Sequence, residues 1–200
     1  MNFYQRYGIL GGIYIALCTI RTKFIFPKAK IIRFPLDLRG RRFMRVGSGF
    51  VTGKNCRIEV HDSKSLNIIK LYIGKNVQLN DNCHITAGDN VVIKDDVLIA
   101  SKVYISDMVH GKYTGDEQSH VEVAPSIRKL ITRPVLIEEK VWLGDGVCVL
   151  PGVTIGRGAI VGANAVVTKS IPPNSIAVGI PARVVKTFDF EKKKWIREKK

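Results

Sequence analysis

The chain has only four cysteines in 200 residues, Cys18, Cys56, Cys83 and Cys148, and no two of them form a CxxC pair. This spacing speaks against a zinc knuckle or a disulfide framework, and reduced, buried thiols are the simplest expectation. Histidine is equally scarce, with four residues that supply no evident set of three converging ligands. A metal-dependent hydratase, which needs such a set, is disfavoured, and no metal is expected to be required.

Long hydrophobic runs are also missing. The best, ILGGIYIALCTI at residues 9–20, has 12 residues, well short of the ~20 that span a bilayer. It reads as a short helix resting on the domain or in a membrane interface. A secretory leader is a poor match, because the preceding residues offer only Arg6 and the cleavage context from Ala16 to Cys18 is weak.

Acidic residues are outnumbered by basic ones, 17 to 32, which leaves a net charge of +15. The excess is not spread evenly. Residues 21–45 carry nine Lys or Arg against one Asp, and residues 186–200 carry seven against three acids, whereas residues 46–185 hold only +2. Two basic flanks around a nearly neutral body resemble docking surfaces more than a nucleic-acid-reading face, and no recognition motif or aromatic platform for nucleic acid is present. With the short apolar helix, the flanks fit peripheral contact with an anionic inner membrane.

What the chain does have is a repeat. From Ile137, aliphatic residues recur every six positions, at Leu143, Val149, Ile155, Val161 and Val167. A smaller apolar set follows four residues after each: Val141, Val147, Val153, Ala159, Ala165 and Ile171. A period of six is neither the 3.6 of a helix nor the alternation of a long strand, and it fits a short strand followed by a turn. Upstream, Val46, Thr52 and Ile58, then Ile73, Leu79 and Ile85, then Ile93, Ile99 and Ile105 keep the same step, with breaks at HDSKSLNIIK and AGDNVV. The expected organisation is an N-terminal helix and basic segment over 1–45, a solenoid over 46–185 and a basic C-terminal helix over 186–200. In such a solenoid the core is a filled ladder of aliphatic side chains, so function must reside outside it.

The one long interruption runs over 107–134, from DMVHGKYTG to the return at Val135, and holds His110 and His120. A loop of this length in a compact domain is usually functional or disordered.

The segment LGDGVCVLPGVTIGRGAIVGANAVVTKSIPPNSIAVGIPARVV resembles the C-terminal signature of the hexapeptide-repeat acyltransferases. The N-terminal helix, the FP-containing basic segment and IASKVYISD are similar to bacterial O-acetyltransferases of lipopolysaccharide and capsule synthesis, and more distantly to galactoside and maltose O-acetyltransferases. The resemblance implies an all-β, left-handed parallel β-helix. It implies a homotrimer with active sites between subunits, acetyl-CoA as cosubstrate, a saccharide acceptor and a cytoplasmic location. Members often read SDHNHG where this chain reads SDMVHG, so His110 remains while Met108 replaces the first histidine. Imidazole suits the removal and return of one proton, and His110 is the candidate base. His120 is its competitor in the same loop.

The remaining positions carry both a functional and an ordinary reading. Asp107 either fixes the His110 tautomer, binds a sugar hydroxyl, or serves as a turn acceptor. Asn80 matches the asparagine that contacts the acceptor in sugar acetyltransferases, or satisfies backbone groups at a turn. For CoA, the resemblance assigns Trp142 to the cleft wall, Ala163 to a backbone contact beside the pantetheine, Thr168 and Lys169 to the distal pantetheine or nucleotide, and Arg183 and Lys186 to the phosphates. His61 and His84 read as turn or surface residues. N-acetylation of an amino sugar nucleotide and a non-catalytic binding platform are the alternatives to O-acetyl transfer.

Overall fold

The computed structural model describes residues 3–61 and 68–198. Both apolar sets of the repeat point inward: Ile137, Leu143, Val149, Ile155, Val161 and Val167, together with Val141, Val147, Val153, Ala159, Ala165 and Ile171, are all buried. Each six-residue unit therefore places two side chains inside, one from the strand and one from the turn.

The strands assemble into three long sheets. The first holds Val51–Thr52, Gln78–Leu79, Leu98–Ile99, Trp142–Leu143, Ile160–Val161 and Ser175–Val178; the second holds Leu36–Arg39, Cys56–Val60, His84–Ala87, Tyr104–Ser106, Cys148–Val149 and Val166–Val167. The third holds Met44–Val46, Leu71–Ile73, Val91–Ile93, Val135–Ile137 and Thr154–Ile155. Within these coils, strands visit the sheets in turn and pair in parallel with the coils above and below. The second sheet, for example, stacks Ile58, Ile85, Ile105, Val149 and Val167 in one column. The result is a coil of triangular section whose three edges are turns.

Many of these turns need a backbone in the left-handed region. Glycine supplies it at Gly146, Gly152 and Gly158, while asparagine does so at Asn76, Asn82, Asn164 and Asn174. Asparagine tolerates this region better than most residues with a Cβ, which explains why the repeat runs on where glycine is absent.

Three expectations are corrected. First, the solenoid starts before residue 46. Ile31 bridges Val51, Leu36–Arg39 pairs with Cys56–Val60, and Met44–Val46 pairs with Leu71–Ile73, so residues 31–46 form a first coil. Its turns differ in length from the later ones, which removes the step of six from the sequence. The break at HDSKSLNIIK lies partly outside the described residues.

Second, the C-terminal segment is no helix. Arg183–Asp189 folds back antiparallel on Ser175–Val178, and Lys194–Arg197 pairs antiparallel with it in turn. Val184, Lys186 and Phe188 are half-buried between the exposed Val185 and Thr187, a period of two that belongs to a strand. Phe188 meets Trp195 edge-on at 5.2 Å across the hairpin. This hairpin covers the last strand of the first sheet.

Third, the N-terminal helix extends over Phe3–Ile25, with a non-helical Gly8, and is not confined to residues 9–20. The charges at Arg21 and Lys23 end the apolar run without ending the helix. Its Tyr7–Ile25 portion, with mean hydropathy 1.4, has the length and composition to cross a membrane. One face is nevertheless committed to the protein. The Tyr14 hydroxyl donates to the Phe34 carbonyl at 2.7 Å, the Ile32 amide donates to Thr22 Oγ1 at 2.8 Å, and Cys18 and Thr22 are buried. Cys56 and Cys83 are also buried and Cys148 is half-buried; all four thiols are free.

Candidate active site

The interruption opens as a hairpin. Met108–His110 pairs antiparallel with Leu130–Thr132, so that His110 lies opposite Leu130 and Met108 opposite Thr132. The Arg133 amide donates to the Asp107 carbonyl at 2.8 Å and closes the neck.

Asp107 secures this hairpin to the coil before it. Its side chain is fully buried; Oδ1 accepts the Gly88 amide at 2.7 Å, and Oδ2 accepts the amides of Asp89 at 2.8 Å and Asn90 at 2.7 Å. Of the readings open in the sequence, the geometry matches the acceptor of a turn, although the turn belongs to the neighbouring coil. None of the side-chain hydrogen bonds among the described residues joins it to His110. A Cβ at Gly88 would fall 2.9 Å from both Met108 Sδ and Thr132 Cγ2, so a larger residue would have to displace these side chains. Met108 thus packs over the turn that Asp107 binds.

His110 is exposed at the end of its strand, and its ring enters no hydrogen bond among the described residues. Its carbonyl accepts the Tyr113 hydroxyl. The outer loop is held by Arg128, whose guanidinium donates to Tyr113 Oη at 2.9 Å, the Val123 carbonyl at 2.8 Å and the Val121 carbonyl at 3.0 Å. Such a set of contacts uses the planar fork of donors that only arginine offers. Sequence reasoning missed this organiser, since nothing in SIRKL separates Arg128 from its basic neighbours. His120 accepts the Glu122 amide at Nδ1, 3.2 Å, a local turn contact.

A second arrangement was also not anticipated. His84 Nε2 lies 2.9 Å from Glu59 Oε1, and its ring meets Tyr104 edge-on at 5.3 Å. Arg57 donates to Glu59 Oε2 at 2.7 Å. Burial pushes the Glu59 carboxyl up, but the hydrogen bonds from His84 and Arg57 outweigh it and hold the group below the usual carboxylate range. His84 is therefore a carboxylate-bound imidazole on the second sheet, and His61 is an exposed residue 3.9 Å from the same carboxylate. Parallel register brings these residues together from positions 25 apart.

The other candidates fall on two regions of the prism. Trp142 is exposed on the outer face of the first sheet, in register with Leu98 on one side and Ile160 on the other; the column continues to Ile176 and then Lys186. Ala163 is exposed at the turn that follows Val161, where a Cβ on Gly144 would fall 2.7 Å from its amide nitrogen. Arg183 is exposed and pairs with Val178 at the top of the same sheet. Asn80 occupies the corresponding turn three coils lower and, with Tyr7, Arg33, Gly53, Lys54 and Asp81, lines a cleft of about 280 Å³. A partly exposed apolar column that ends at Lys186, with Arg183 on the same strand, suits an elongated ligand with a phosphate-bearing end, which fits CoA.

Thr168 and Lys169 sit elsewhere. They follow Val166–Val167 at the edge between the second and third sheets, two coils above Ser106 and Asp107. His110, Asp107, Thr168 and Lys169 thus share one edge, while Asn80, Ala163, Trp142, Arg183 and Lys186 belong to the first sheet and the turn leaving it. The width of the second sheet separates the two groups within a single chain.

Residues 134–169 match the family model described as bacterial transferase hexapeptide (six repeats). The chain is 38% identical over 192 residues to WbbJ of Escherichia coli K12, which carries the provisional name of a lipopolysaccharide biosynthesis O-acetyl transferase; the match covers 96% of this chain and 95% of WbbJ. It is 37% identical over 142 residues to the galactoside O-acetyltransferase of the same organism, covering 68% and 63% of the two chains. Among solved structures, the N-acyltransferase AntD of Bacillus cereus, with a dTDP-amino sugar and coenzyme A, superposes with TM-score 0.66 at 18% identity over 82% and 84% of the chains, which shows a shared fold. A hexapeptide-repeat acetyltransferase of Vibrio cholerae in complex with acetyl-CoA gives TM-score 0.50 at 25% identity over 77% and 71%. The repeat, the three parallel sheets and a relative matched over nearly its whole length place this chain in the family of hexapeptide-repeat acyltransferases.

Proposed function

We propose that the protein transfers the acetyl group of acetyl-CoA to a sugar hydroxyl of a bacterial surface polysaccharide or its precursor, with His110 as general base, as a left-handed β-helical homotrimer acting in the cytoplasm. The observation that carries this reading is the placement of His110. The long interruption of the filled solenoid over 107–134 ends its first strand on an exposed imidazole, and Asp107 anchors that strand through three backbone amides.

The imidazole removes the hydroxyl proton as the sugar oxygen forms its bond to the acetyl carbonyl carbon. The carbon–sulfur bond of the thioester then breaks, and the proton passes from His110 to the CoA sulfur. Trp142, with Leu98 and Ile160 beside it, supplies an apolar wall for the pantetheine, while Arg183 and Lys186 offer charge to the phosphates. Thr168 and Lys169 lie on the His110 edge. A cleft containing both groups forms when the first-sheet side of one chain faces the His110 edge of another, which is the reason for a trimer with sites between subunits.

Incubation with labelled acetyl-CoA and a panel of cell-envelope glycan precursors tests the reading. O-ester label on a glycan, lost in His110→Ala, supports it. Label appearing as an amide on an amino sugar nucleotide would replace the acceptor class, and no transfer to any glycan would remove the proposal.

A further inference from the structure

The N-terminal helix has an outward face that neither the solenoid nor the proposed chemistry uses. Tyr14, Cys18 and Thr22 face the protein. Ile9, Leu10, Ile13, Leu17, Ile20 and Phe24 are exposed, by 54–82%. At about 100° per residue, these six fall within an arc of about 100° on the opposite side. Arg21 and Lys23, both exposed, stand at the two borders of that arc.

Basic residues continue around the end of the helix. Lys28, Lys30, Arg41 and Arg45 are exposed, and Asp37 is the single acid in residues 1–45. That acid is already engaged by Arg39 at 2.8 Å. Beside the helix end, Ile25, Phe26, Pro27, Arg41, Arg42 and Met44 line a cleft of about 460 Å³. Its apolar walls and arginines match the boundary between acyl chains and phosphate headgroups.

We infer that this surface docks the protein in the plane of an anionic phospholipid membrane, with the six apolar side chains in the acyl boundary and the flanking cations on headgroup phosphates. A helix lying in the interface is chosen over one that spans, because the contacts of Tyr14, Cys18 and Thr22 hold its other face to the first coil. Lipid is chosen over a second copy, because two such surfaces brought together would oppose cation to cation. Lys23 is long enough to reach headgroups while its stem covers apolar surface, and Arg21, exposed with its guanidinium over the Phe34 ring at 3.9 Å, adds positive charge at the other border. Docking of this kind would set the solenoid beside a membrane-borne acceptor.

Flotation of the full chain with phosphatidylcholine vesicles, with and without about one part in three of phosphatidylglycerol, tests this. Binding to the anionic vesicles is expected, weakening as salt rises. Lys23→Glu with Lys28→Glu should reduce it by tenfold or more, at roughly a factor of five per lost cation. Leu17→Glu with Phe24→Glu should reduce it at least as far, while acetyl transfer to a soluble acceptor by either variant stays at the parent level and certifies the fold. Equal binding to neutral and anionic vesicles, no binding, or undiminished binding by both double variants would overturn the inference. So would a Leu17→Glu, Phe24→Glu variant that changes the sedimenting mass and leaves vesicle affinity intact, since that outcome assigns the face to a second copy. Vesicle binding is read apart from turnover, so its failure leaves the proposed chemistry standing.

Discussion

Asp107 Oδ1 accepts the amide of Gly88 at 2.7 Å, tying the first residue of the interrupting loop to a turn of the preceding coil. Two further amides share the other oxygen. Asp107→Ala would leave three backbone amides without the carboxylate that binds them, and a loss of about 2–4 kcal/mol is expected, read as a lowered midpoint in thermal or urea denaturation. Asp107→Asn keeps one acceptor oxygen and should fall between. A variant that kept full stability and lost turnover would instead give Asp107 a direct chemical role.

His110 contributes no side-chain hydrogen bond to the described structure, so its removal should be nearly silent in stability. His110→Ala is expected to lower kcat by about 10²–10⁴ with the melting midpoint unchanged, measured by CoA release and differential scanning fluorimetry. His120→Ala should leave kcat within about twofold. The reverse pattern would transfer the role to His120.

The two groups of site residues make subunit mixing informative. Asn80→Ala and His110→Ala are each expected to be inactive or nearly so when prepared alone. After co-refolding in equal amounts, random assembly would leave roughly a quarter of the sites with both native residues if each site takes one group from each of two chains. Activity that stays at the level of the separate variants would place both groups within one chain.

Glu59 predicts a dependence of stability on pH. Its carboxyl is held below the usual range in the folded chain, so the ionised form favours folding. That contribution is complete above the ordinary carboxylate value of about 4.3 and is lost as pH falls through the folded value. Glu59→Gln should therefore melt lower than the parent at neutral pH and show a shallower further decline between about pH 5 and pH 3. Equal slopes in the two proteins would detach the acid transition from Glu59.

Much of the fold could be read from the chain because a step of six has one physical cause. A short strand must bury one residue, and the turn after it must bury another, so the rhythm reports directly which side chains point inward. The first coil escaped that reading because its turns differ in length, although Ile31 and Met44 are buried like the rest. The C-terminal hairpin escaped it because EKKKW carries charge that suits a helix as well as a strand, and only pairing of Lys194–Arg197 with Arg183–Asp189, itself laid on Ser175–Val178, selects the strand.

The site divides in the same way. His110 stood out because the rhythm stops beside it, and Asp107 was open among several roles until its carboxylate was found on three amides. The Glu59–His84 contact had no local signal, since its partners meet only when two coils stack in register. By itself the sequence determined the repeat, the inward residues and the location of the interruption, because these depend on local spacing. Tertiary structure decided which outward residues become neighbours, because stacking each coil on the last joins residues 16 or more positions apart and sets Asn80 and His110 on different edges of the same prism.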